Sequence, residues 1–169
     1  MSSVPERSEV DTEYKWDLES IYATDEEWEA AFEDVEARLE DLAHYEGEVT
    51  EDGETLLATL ELRDEVMREV STVVAYARMR KDEDTTNQTY QGYSTRAQSL
   101  SADASSAASF IEPEIQSATR EDIETMVEST DGLGEYDHYL DDVLRMKPHT
   151  RSAEVEELLA DLSEVTGAP

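Results

Sequence analysis

The sequence predicts an all-α fold: a helical bundle with two long antiparallel helices, at about 54–81 and 86–111, plus shorter helices. Three observations predict it. Apolar residues recur at spacings of three and four, and no stretch alternates as a strand would. Gly and Pro number only 6 and 4 in 169 residues, so helix breakers are few. Polar links and capping residues stand where the periodic pattern pauses.

Residues 1–13 read as a polar N-terminal lead, and 14–169 as a single helical domain. Tyr14, Trp16, Leu18, Ile21 and Tyr22 make a segment dense in large apolar groups, expected to dock as an extended piece or single turn. The first helix starts near Thr24, which forms a capping box with Glu27. Trp28, Ala31, Phe32, Val35, Leu39 and Leu42 follow helical spacing, and Gly47 is the expected stop. The second helix carries a wide apolar face from Leu56 to Ala77, which implies neighbours on more than one side. The third shows a heptad seam at Tyr90, Tyr93, Ala97, Leu100, Ala104, Ala107 and Ile111. Its alanines let a partner backbone approach closely. The short link 81–87 makes the second helix that partner, packed antiparallel. Pro113 breaks or ends the pattern. Shorter helices are expected at 120–129, 136–146 and 152–166, with Thr119 and Ser152 as N-caps and Pro148 and Gly167 as stops.

Charge sets the strongest limits on partners. Thirteen Lys+Arg against 44 Asp+Glu give a net charge of −31. Such a chain repels nucleic acid phosphates and anionic lipid, so neither nucleic acid nor membrane is an expected partner. The acids lie on every predicted helix, and only Lys15, Lys81 and Lys147 are lysines. That pattern suits a protein adapted to molar salt, where the Debye length falls to about 3 Å. With no cysteine, disulfides and thiolate metal sites are excluded. Met1–Val10 is polar and does not read as a signal peptide. No apolar run approaches the roughly 20 residues that span a bilayer. The expected setting is cytoplasmic.

Candidate chemistry is sparse. A zincin needs H-E-x-x-H, two His one turn apart with a Glu that activates water. None of His44, His138 and His149 fits. His138, Asp141 and Asp142 share a helix face and offer a weak divalent-metal set, although a surface ion pair is the simpler reading. Asp82-Glu83-Asp84 opens like a calcium loop, but Asn87 and Tyr93 stand where Gly and Glu are needed. The link then reads as a helix cap. Asn87-Gln88-Thr89 matches a glycosylation sequon by chance. Tyr76, Tyr90 and Tyr93 read as bundle packing before they read as a peptide groove. No catalytic, cofactor-binding or metal residue is assigned.

Several segments nevertheless carry a specific resemblance. They are Tyr14-Lys15-Trp16-Asp17-Leu18 with Ile21-Tyr22; Asp82-Glu83-Asp84-Thr85-Thr86-Asn87; Ser109-Phe110-Ile111-Glu112-Pro113-Glu114-Ile115; the run Tyr136 to Thr150; and Ser152 to Leu159 with Leu162-Ser163-Glu164-Val165. In this order the chain resembles the N-terminal helical region of oligoendopeptidase F, a zinc metallopeptidase of the thimet oligopeptidase group. The resemblance implies cytoplasmic enzymes that hydrolyse short peptides inside a channel, with the N-terminal helices forming part of its wall. It also implies that zinc ligands and catalytic Glu lie downstream, in a catalytic domain of the same family, so no cofactor is expected in this chain. The expected function is that of a non-catalytic N-terminal domain, from a halophilic archaeon. The alternative is a free-standing acidic helical protein that oligomerises through its second helix. An acidic mimic of nucleic acid fits less well, because the carboxylates cover every helix evenly.

Overall fold

The computed structural model describes residues 9–147. Six α-helices follow two single 3-10 turns, Thr12–Tyr14 and Leu18–Ser20. The helices are α1 Asp25–Ala43, α2 Gly53–Glu83, α3 Gln88–Ala107, α4 Ile111–Ser117, α5 Arg120–Ser129 and α6 Asp137–Met146. Among the described residues there is no strand. The expected helix at 152–166, with Ser152, Pro148, His149 and Gly167, lies outside them.

Caps fix most helix starts. The Thr24 hydroxyl accepts from the Glu27 N–H at 3.3 Å, while the Glu27 carboxylate accepts from the Ala23 N–H at 2.8 Å. This is the expected capping box shifted by one residue on its return arm. Asp52 accepts from the Thr55 N–H at 2.8 Å and starts α2. Asn87 accepts from the N–H groups of Thr89 and Tyr90, so the sequon residue is an N-cap. Asp84 accepts from both the N–H and the hydroxyl of Thr86, which completes a capped link. Thr119 caps α5 as expected.

Helix α2 has 31 residues, a length of roughly 46 Å. That exceeds any one core, and its two halves serve two. The first core joins Leu18, then Trp28, Phe32 and Val35 of α1, then Val66, Val70, Val73, Tyr76 and Ala77 of α2, then Ala97, Leu100 and Ala104 of α3. The second joins Leu42 and Val49, Leu56 and Leu60 of α2, Ile111 and Ile115 of α4, Ile123 of α5, Leu133, and Leu140, Val143 and Leu144 of α6. Leu62 packs against both. Most of the wide apolar face of α2 is thereby covered within the chain, while Val74 and Met79 stay only partly buried.

Four expectations need correction. Helix α1 ends at Ala43, and Gly47 sits four residues on, in a turn where its φ of 88° favours glycine. Helix α3 ends at Ala107, and the expected 86–111 helix is split, because Ile111 opens the separate α4 and faces the second core. Pro113 is the third residue of α4, where its missing N–H would have had no helical partner anyway. Of the apolar residues in the N-terminal segment only Leu18 and Tyr22 reach the first core; Tyr14 and Trp16 are 75% and 50% exposed.

Close packing shows at the start of α2. A Cβ on Gly53 would lie 2.0 Å from Thr130 Oγ1 and 3.1 Å from Thr130 Cβ, so only glycine fits beside α5. In the α2–α3 seam, Leu100 is fully buried against the α1 and α2 side chains. Leu100→Ala is expected to destabilise the chain by about 2–5 kcal/mol, checked by denaturant unfolding at fixed salt. A loss under about 0.5 kcal/mol would show that the seam does not hold the first core.

Candidate functional site

Among the described residues, none of the sets weighed for chemistry forms a catalytic constellation. His138 Nδ1 lies 3.4 Å from Asp142 Oδ2, and its side chain is 91% exposed. Asp141 accepts from Arg120 at 2.6 Å and Asp142 from Arg145 at 2.8 Å. The Arg145 hydrogen bond, and then its charge, hold the Asp142 carboxyl below its ordinary value. The carboxylates that a metal would need are already engaged. His44 stands at the end of α1, on a different element from His138. Among the described residues no group of three or more His, Cys, Asp and Glu could hold a metal ion. Zinc therefore does not fit these residues.

What the fold does build is an aromatic and arginine layer at one end of the bundle. It follows from helical spacing. Trp28, Phe32 and Glu29 of α1 face Tyr93 and Arg96 of α3, across Val73 and Tyr76 of α2. The Trp28 indole N–H donates to the Val73 carbonyl at 3.0 Å. Its ring stacks on Tyr93 at 4.1 Å and 12°. Arg96 lies over Phe32 at 4.4 Å and over Trp28 at 5.3 Å, and donates to both oxygens of Glu29 at 2.6 and 2.7 Å. Next to it, Arg80 donates to the Tyr76 hydroxyl and to Glu19, both at 3.0 Å, and lies over the rings of Tyr76 and Tyr90. Burial works against the Arg80 charge, but the bonds to Tyr76 and Glu19 outweigh it and hold the guanidinium above its ordinary value. The three tyrosines are packing residues, as their spacing suggested.

A groove lies on the opposite flank of α2. Trp16, Val74, Ala75 and Met79 form its apolar walls, with Ser71 and the Arg78–Asp82 pair at its edge, and it has a volume of about 520 Å³. Tyr14, Ile21 and Met146 are further large apolar side chains left exposed. The density of apolar residues at 14–22 marked this segment in the sequence. That half of them would face outward left no local signal.

The geometry agrees with comparisons to known proteins. A family model described as Oligopeptidase F matches residues 114–169. Oligopeptidase PepF of Bacillus subtilis (strain 168) is 34% identical over 167 residues, which is 99% of this chain and 25% of that protein. The crystal structure of oligoendopeptidase-F from Enterococcus faecium matches with a TM-score of 0.68 at 29% identity, over 84% of this chain and 28% of that one. A Chlamydophila abortus protein of known structure shares the fold with a TM-score of 0.79 at 23% identity, over 95% of this chain and 27% of that one. The chain thus spans about a quarter of the length of the relatives it matches. In fold and sequence the described helical domain is similar to about a quarter of these peptidases. More particularly, the chain corresponds to the N-terminal domain of oligoendopeptidase F-like peptidases.

Two phenols report on the packing. Burial first, then the charges of Asp25 and Glu29, push Tyr93 up to about 12. Burial first, then a hydrogen bond to Asp64, push Tyr136 up to about 12. Between the ordinary value of 10 and 12, the unfolded chain releases these protons while the folded chain keeps them. Their stabilisation is therefore complete below pH 10 and lost as pH rises towards 12. Burial also raises Tyr22, Tyr76 and Tyr139, so alkaline titration followed by phenolate absorbance should show a late-ionising group of phenols, from which Tyr93→Phe removes one. Ionisation of Tyr93 together with the exposed phenols would contradict the stacked geometry.

Proposed function

We propose that this chain is the non-catalytic wall of a peptidase that hydrolyses short peptides inside a channel. The zinc and the catalytic residues belong to a separate catalytic domain that packs against it. The observation that carries this reading is the match of nearly the whole chain, 99%, to only 25% of a relative named oligopeptidase. The absence of H-E-x-x-H from the sequence supports it, as does the apolar groove at Trp16, Val74 and Met79, which suits cover by a further domain. The test has two arms. The purified chain alone should not cleave a fluorogenic oligopeptide, with or without added zinc. A chimera carrying residues 1–169 in place of the matching quarter of the Bacillus subtilis relative should cleave it. Zinc-dependent cleavage by the chain alone, lost on changing His138, would overturn the reading. So would a well-folded chimera without activity.

The proposed setting is the cytoplasm of a salt-loving host. No helix of the described residues is long and apolar enough to cross a membrane. With 44 acids and 13 basic residues, repulsion is stronger in the folded chain than in the extended one, and salt screens it. The melting temperature, followed by helical circular dichroism, is expected to rise from low to molar KCl. A flat or falling curve would remove the halophilic assignment.

A further inference from the structure

The last turn of α2 and one face of α3 enclose a polar groove of about 380 Å³, lined by Lys81, Thr85, Gln91, Ser94, Thr95 and Gln98. Positions 91, 94, 95 and 98 fall on one helical stripe, so the groove is a product of the α3 register. Its chemistry is unlike the rest of the molecule. Acids make up 44 of 169 residues, yet none lines this groove, and one of only three lysines does. Ser94 is 94% buried, with 6% exposure. Gln91 donates to the Thr85 carbonyl at 2.6 Å and Thr95 to the Gln91 carbonyl at 3.1 Å. Among the described residues the Lys81 ammonium, the Ser94 hydroxyl and the Gln98 amide make no hydrogen bond or ion pair that would occupy them.

We propose that this groove binds the free C-terminal carboxylate of an oligopeptide. Lys81 supplies one positive charge for one carboxylate, and Ser94 donates to it. The side-chain amides of Gln91 and Gln98 match the donor and acceptor pattern of the last peptide group. A phosphate dianion is disfavoured, since a single ammonium must hold it within the field of a chain of net charge −31. The groove is also far larger than a simple anion needs, since one water occupies about 30 Å³. The inference rests on the peptide-hydrolase reading for the source of the carboxylate, not for the binding itself.

The test is a titration of the full 15N-labelled chain at fixed KCl, using Leu-Gly-Gly as free acid and as C-terminal amide, with inorganic phosphate as competitor. The acid should perturb amides at 81–98, and the amide should bind about tenfold more weakly. Lys81→Gln should abolish that discrimination, and Ser94→Ala should weaken the acid, with circular dichroism confirming both folds. Equal binding of acid and amide would overturn the proposal. Perturbation elsewhere, no perturbation, or displacement of the acid by equimolar phosphate would also overturn it. Carboxylate binding by the chain beside an inactive chimera would sink the peptidase reading and leave this site standing. An active chimera with no acid preference at the groove would do the reverse.

Discussion

The whole structure depends on burying α2 along its full length. A helix of 31 residues with apolar side chains on more than one side is not stable as an isolated rod in water. Every other described helix is placed by which part of α2 it covers. Helices α1 and α3 cover the C-terminal half, and α4 to α6 cover the N-terminal half. Each fully buried Leu, Val or Phe in these cores stabilises by about 1.5–3 kcal/mol. The aromatic layer then fixes rotation. The Trp28 bond to the Val73 carbonyl and its stack on Tyr93 tie three helices at one level.

Charge works within that frame. The chain has few cations, and several described arginines sit at junctions between elements. Arg38 of α1 reaches Glu65 and Glu69 of α2, Arg96 of α3 reaches Glu29 of α1, and Arg120 of α5 reaches Asp141 of α6. Arginine suits these places because its planar fork can bond two oxygens or lie on a ring. Such pairs are largely exposed and are individually worth about 0–1 kcal/mol. Salt weakens them, but it also weakens a much larger number of repulsive pairs among the carboxylates. The balance of 44 acids to 13 basic residues decides the sign.

Much of the helical layout was legible because it rests on local signals. The Thr24–Glu27 box, the Thr119 cap and the seam through Ala97, Leu100 and Ala104 each need only a few neighbouring residues to be recognised. The failures are all non-local. The split between α3 and α4 carries no glycine, and Ile111 continues the heptad in sequence while turning to the other core in space. Gly53 looks like an ordinary helix start until Thr130 is placed against it. The groove of Lys81, Ser94 and Gln98 was invisible because its polar stripe is ordinary for an exposed helix face. Only the packing of α2 beside it turns that face into a recess without carboxylates.

Glu114 shows how the two cores are held in fixed relation. Helix α4 presents this carboxylate to the turn after α1, where it accepts from the Gly47 N–H at 2.6 Å and the Val49 N–H at 3.1 Å. Gly47 takes a positive φ there, and Val49 is fully buried in the second core. The turn after α1 is thus anchored by a side chain of α4, through two charge-assisted bonds. Tilt of one core against the other is opposed by side-chain packing on two shared helices, α2 and α1, whose Leu42 lies in the second core. A carboxylate bridging α4 to the α1–α2 turn restrains that tilt. For a domain proposed to wall a peptide channel, such a restraint lets one rigid surface extend over both ends of a 31-residue helix.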